Sequence, residues 1–167
     1  MRIYVPATLA HLRALLDNGV HDPEGGITAF AVTGALRQWF QSGDEEELEY
    51  AATSDAAYAA LHFLAGDRQL PMRRVVIAAD INSSLVHGAP DNDRATVRIE
   101  GPLKLSQVES ILVDGDDAVP DVTTAVGVLE KSELGDRDAE FLVSQAEGHE
   151  LLWYAASEIS ELLLVDG

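Results

Sequence analysis

Leu9, Leu12, Leu15 and Leu16 recur at three- and four-residue steps behind Thr8, which predicts a capped helix over LAHLRALLDN that Gly19 stops. RIYVP (2–6), before it, is β-rich and ends in proline, and predicts a first strand. ITAFAVT (27–33) has the short apolar run of a buried strand, and Thr33 can cap a short helix over GALRQWF. The longest helical stretch follows, SGDEEELEYAATSDAAYAALHFLAG, with Ser42 and Glu45 at capping-box spacing. RRVVIAADI (73–81) predicts a third strand, central because VVIAA is uncharged, and ATVRIEG (95–101) a fourth. Ser106 and Glu109 offer a second capping box for a brief helix before a fifth strand, SILVDG (110–115).

The final third reads as helical, in three pieces: PDVTTAVGVLEKSEL, DRDAEFLVSQAEG and GHELLWYAASEISELL. In the last of these, Leu151, Leu152, Ala155, Ile159, Leu162 and Leu163 share one helical face. Leu152, Ile159 and Leu163 are therefore expected to be buried, Trp153 partly so, and Glu150 exposed. The polar connection NSSLVHGAPDNDR (82–94) is expected to be the most mobile internal segment. With no linker or composition break, the pattern gives a single α+β domain over residues 1–167. Its expected architecture is a mixed sheet of about five strands covered by helices, with a helical C-terminal third.

An internal echo runs through the chain. RIYVPATLAHLRALL (2–16) aligns with RIEGPLKLSQVESIL (98–112), and ELEYAATSD (47–55) with ELLWYAASE (150–158). A duplication would leave such an echo, and so would the shared patterning of any two strand–helix units. The duplication requires a strand–helix unit at 98–112.

Composition narrows the range of functions. Of 167 residues 47% are hydrophobic, enough for a sizeable core. The absence of cysteine removes disulfides, thiolate metal sites and thiol nucleophiles, and suits a reducing compartment. Twenty-nine acids against eleven bases give a net charge of −18, which repels nucleic-acid backbones and anionic membrane surfaces. The adjacent Arg73 and Arg74 read as ordinary strand-edge charge. Residues 1–10 lack a signal peptide's apolar stretch and no run is long enough to span a bilayer, so the expected location is cytoplasmic.

Candidate chemistry is sparse. His149 and Glu150 resemble the opening of a zinc-binding helix, but the second histidine such a helix needs is replaced by Trp153. They read more simply as the polar start of the last helix, where the dipole favours an acid. Asp55, Tyr58 and His62 fall on one helical face, an arrangement able to move a proton or to form a polar outer strip. DGDDAVPD (114–121) begins like a calcium loop, but Val119 and Ala125 hold the positions that need glycine and glutamate. No phosphate-cradling glycine motif and no GxSxG is present. The run Glu45, Glu46, Glu47 and Glu49 suits a solvated helix start.

RIYVPATL, TAFAVTGALRQWF, DEEELEYAA, RRVVIAAD, GPLKLS, DAEF and ELLWYA together resemble a family of small uncharacterised actinobacterial proteins. The likeness spans nearly the whole chain. It implies a bacterial cytoplasmic origin and no activity, cofactor or catalytic residue. Two functional readings follow from the residues. The first is a non-catalytic interaction or small-ligand-binding module, self-associating or with a protein partner, and with no cofactor or metal. The alternative is an enzyme using Asp55, Tyr58 and His62, or His149 and Glu150, as general acids and bases.

Overall fold

The computed structural model describes residues 1–89 and 94–166, with side chains described as far as Leu164. Its main sheet contains β1 (Arg2–Ala7), β3 (Ile27–Phe30), β4 (Val75–Asp80), β5 (Val86–Gly88), β6 (Thr96–Ile99), β8 (Val108–Val113) and β9 (Leu152–Ala155). The spatial order is β5-β6-β3-β1-β4-β8-β9, and β2 (Val20–His21) pairs with β7 (Leu103–Lys104) in a small separate sheet. The helices are α1 (Leu9–Asn18), α2 (Gly34–Trp39), α3 (Glu45–Gly66), α4 (Val119–Glu133), α5 (Arg137–Glu147) and α6 (Ile159–Asp166).

The α+β class is as expected, but the sheet has seven strands, and every described pair runs antiparallel rather than mixed. The strands without a sequence signal are short and lie at or near sheet edges, where two to four residues carry little periodicity. β1 and β4 lie inside the sheet and are covered on both faces, which is why their sequences run apolar without alternation.

Ile3, Val5, Ile77 and Ile111 project from one face into the main core, where α1 and α6 bring Leu12, Leu15, Ile159 and Leu163. Tyr4, Phe30, Val76 and Ala78 project from the other face against the alanine-rich side of α3. Farther along, Leu61 and Leu64 of α3 meet Val122 and Leu129 of α4 and Val143 of α5 in a third cluster. The alanines of α3 thus pack closely against the sheet, and its leucines Leu61 and Leu64 against α4 and α5.

Several local expectations are corrected. α3 is capped by Asp44, whose carboxylate accepts from the Glu47 amide, and not by Ser42. Thr8, Thr33 and the left-handed Gly19 act as predicted at α1 and α2. Ser106 starts no helix: residues 105–107 form a single 3₁₀ turn that leads into β8. Residues 98–112 are therefore strand, turn and strand, and residues 150–158 contain β9 where residues 47–55 are helical, so the duplication fails its own requirement.

GHELLWYAASEISELL is not one helix. α5 ends at Glu147, LWYA pairs with β8 as β9, a 3₁₀ turn spans Ala156–Glu158, and only then does α6 begin. The reason is the outer edge of β8, whose backbone groups β9 satisfies, and an aromatic-rich tetrapeptide suits that edge. Of the connection 82–94, residues 90–93 lie outside the described residues. Before them, Ser83–Leu85 forms a 3₁₀ turn and Val86–Gly88 is β5, with Leu85 and Val86 packed on the main core.

Candidate functional site

A cleft of about 590 Å³ lies between α3 and the sheet face beneath it. Its roof is a stripe on α3 at helical spacing: Glu46, Glu49 and Tyr50, Thr53 and Ser54, then Ala57. Its floor comes from same-face positions on β1, β4, β8 and β9. Tyr4 pairs with Ala78 and Ala78 with Ser110; farther along, Leu112 pairs with Trp153. The far end is closed by Glu147, the last residue of α5, and by His149, Glu150 and Leu151 on the segment joining α5 to β9.

A β-bulge shapes that floor. Ala78 pairs with Ser110, but its neighbour Ala79 pairs with Val108, so Glu109 is an extra residue in β8. Strict alternation would place Val108 on the cleft side and Glu109 against the main core. The bulge reverses them: Val108 is buried in the core and Glu109 lines the cleft, 3.7 Å from Arg2. Ser110 is only 3% exposed, and its hydroxyl has no hydrogen-bond partner among the described residues.

Arg74 anchors the closed end. Its Nε and Nη2 donate to the two oxygens of Asp114 at 2.8 and 2.7 Å, and its own amide donates to the same carboxylate at 2.7 Å. Nη2 also donates to the His149 carbonyl at 3.0 Å, which ties the α5–β9 segment to the start of β4. Arg74 and Asp114 are both buried, and β4 is an interior strand, so Arg74 is not strand-edge charge. Arg73 donates to the Asp114 carbonyl and pairs with Asp116, so Asp114 and Asp116 serve the two arginines.

Beside Arg2, raised chiefly by its hydrogen bond to Asp80, two titratable groups in the cleft are displaced from their ordinary ranges. Tyr4 is pushed up by burial and by the charge of Glu49, with hydrogen bonds from Thr53 and Arg2 acting against this. Glu147 is pushed up by desolvation, which Arg74 partly offsets and Asp55 reinforces. The roof holds exposed aromatic surface in Tyr50, and the floor in Trp153.

The residues singled out from sequence divide between places. His149 and Glu150 line the cleft, but as a connection and not as a helix start; His149 Nε2 lies 2.7 Å from Asp121, and Glu150 is exposed. Asp55, Tyr58 and His62 share a face of α3 adjacent to the cleft stripe; the Tyr58 and His62 rings meet edge-on at 5.6 Å, but Asp55 bonds neither of them. Asp55 faces Arg94 at 3.4 Å, whereas the Tyr58 hydroxyl donates to Glu133 of α4 at 2.8 Å. His62 reaches that same carboxylate at 3.0 Å. Burial and Glu133 push Tyr58 up to about 12. No group of three or more histidines, aspartates or glutamates among the described residues is placed to hold a metal ion.

Sequence reasoning missed Tyr4, Arg74, Ser110, Glu147 and Trp153 as a group, because the sheet assembles them from four separate segments. The stripe 46/49/50/53/54/57 was the available signal, one helical step away from the stripe 55/58/62.

Residues 1–163 match the sequence model of DUF6912, a family of unknown function, and the chain belongs to that family. Comparison with curated proteins and with solved structures finds no significant match.

Proposed function

We propose that this member of DUF6912 is a small-ligand-binding module, that its site is the cleft beneath α3, and that it binds without catalysis. The observation that carries the proposal is the cleft itself. Its volume of about 590 Å³ falls in the range of small-molecule sites, and it combines an apolar floor with a few directed polar groups. Of the two expected modes, ligand binding and self-association, the cleft favours the first. The non-catalytic part rests on the pairing of its polar groups: Arg74 is committed to Asp114, His149 to Asp121, and Ser110 has no base beside it. No described helix is long and apolar enough to cross a membrane, and the absence of cysteine suits an actinobacterial cytoplasm.

The test is a fragment screen read by amide chemical shifts. Binding should move signals along Glu46–Ala57, β8 and Glu147–Trp153, and Ser54→Phe, which projects a ring into the roof, should abolish those shifts. A screen in which no fragment moves these amides would refute the proposal. The enzyme reading has one observation behind it, the raised Tyr4 and Glu147 in a single cleft. It requires Glu147→Gln to remove turnover of a bound compound while leaving its affinity unchanged.

A further inference from the structure

We infer that the ligand of this cleft is an organic cation, an amine or guanidinium carrying an apolar or aromatic part. The inference rests on the proposal that the cleft is a binding site. Its first support is charge. Five glutamates line the cleft, Glu46, Glu49, Glu109, Glu147 and Glu150, against the arginines Arg2 and Arg74. Both arginines are already neutralised: Arg74 by Asp114, and Arg2 by Asp80, whose carboxylate it grips at 2.7 and 3.1 Å, with Glu109 nearby. Glu46, Glu49, Glu147 and Glu150 form no salt bridge among the described residues. An anionic ligand would meet this field with no uncommitted guanidinium to bind it, whereas a cation would meet uncompensated carboxylates.

A second, independent support lies in the floor. Ser110 is 3% exposed as a residue, and its hydroxyl, with no partner among the described residues, is open to the cleft, where it can bond a ligand. An ammonium N–H can use that acceptor, and because a hydroxyl can also donate, the sign of the ligand's charge rests on the carboxylates around it. The exposed rings of Tyr50 and Trp153 add faces that attract cations. Leu112, Ala57 and Ala78 provide apolar surface for a carbon skeleton. A bare metal ion fits less well, because the carboxylates do not gather around one point. The desolvation that holds Glu147 above its ordinary range is relieved when a positive charge enters beside it.

Calorimetric titration of the full chain with tyramine, agmatine and 4-hydroxyphenylacetate tests the inference, with amide shifts locating each site. Tyramine or agmatine should bind in the cleft at least about tenfold more tightly than the carboxylate, and more weakly as salt rises. The double substitution Glu49→Gln with Glu147→Gln should weaken the amine by about tenfold or more, with folding confirmed by circular dichroism. Preference for the carboxylate, amine binding unchanged by the double substitution, or amine shifts outside the cleft would each overturn the inference. If neither amine binds while neutral fragments still move the cleft amides, the cation is wrong and the binding site stands. If nothing moves those amides, both fall.

Discussion

Arg74 and Asp114 form a two-pronged ion pair, Nε to Oδ2 at 2.8 Å and Nη2 to Oδ1 at 2.7 Å, with side chains 3% and 0% exposed. Such a pair is costly to break, because the survivor is left charged and dry. Asp114→Ala should therefore cost about 3–5 kcal/mol in urea unfolding. Replacing both together, Arg74→Met with Asp114→Leu, should cost distinctly less. If the double variant is as unstable as the single one, the packing of these residues matters and not the orphaned charge.

The pair also shows what the sequence could and could not convey. Strands β1, β3, β4, β6 and β8 and helices α1 to α5 were legible, because each carries its own period or cap within a few residues. Arg73-Arg74 looked like surface charge because its partner lies 40 residues on, and only the pairing of β4 with β8 brings Asp114 beside it. The cleft was illegible for the same reason. Its roof could be read from the spacing on α3, whereas its floor depends on strand register and on a bulge that no local pattern announces.

That bulge gives a backbone prediction. Deleting Glu109 removes the extra residue and forces Val108 out of the core or Ser110 out of the floor, so stability should fall by about 1.5–3 kcal/mol or more for the lost burial. Glu109→Ala keeps the bulge and loses only a long, exposed contact to Arg2, so it should change stability by less than about 1 kcal/mol. Equal effects from the two, measured by denaturant unfolding, would show that the residue acts through its charge.

A separate prediction concerns acid. His21 is buried, and its ring packs edge-on to that of His11 at 5.1 Å, while His11 meets Phe63 at 5.2 Å. Burial, and then the charge of His11, hold His21 down to about 4, with Asp22 opposing; burial also lowers His11. Both histidines ionise more readily in the unfolded chain, near 6.5, than in the folded one. Between pH 6.5 and about 4 the unfolded state binds more protons, so stability is full above that window and is lost as pH falls through it. The loss from His21 should be on the order of 3 kcal/mol, and His21→Phe should flatten that part of the profile. An unchanged profile in that variant would assign the acid sensitivity to other groups.

The α3–α4 contact yields a smaller effect. Tyr58 and His62 both bond Glu133, so Tyr58→Phe should cost about 0.5–1.5 kcal/mol, the scale of one hydrogen bond. Glu133→Gln retains an acceptor for both and should cost less. Chemical unfolding of the two variants ranks them, and the reverse order would mean that charge dominates the contact.

The segment that misled the sequence reading supports the sharpest contrast. As one helix, residues 149–163 would bury Leu152, Ile159 and Leu163 together. As β9 and α6 they separate: Ile159 and Leu163 are buried in the main core, while Leu152 stands 49% exposed on the edge strand. Ile159→Ala should then cost about 2–5 kcal/mol through lost transfer energy and the cavity left behind. Leu152→Ala removes a side chain that is half exposed and should cost less than about 1.5 kcal/mol. Trp153→Ala, from the cleft floor, should spare the fold similarly while changing ligand binding, because the residue is 59% exposed. Comparable losses at Leu152 and Ile159 would restore the helix and remove β9. The cleft would then lose the strand that carries Trp153, so these two alanine substitutions test its floor before any ligand is known.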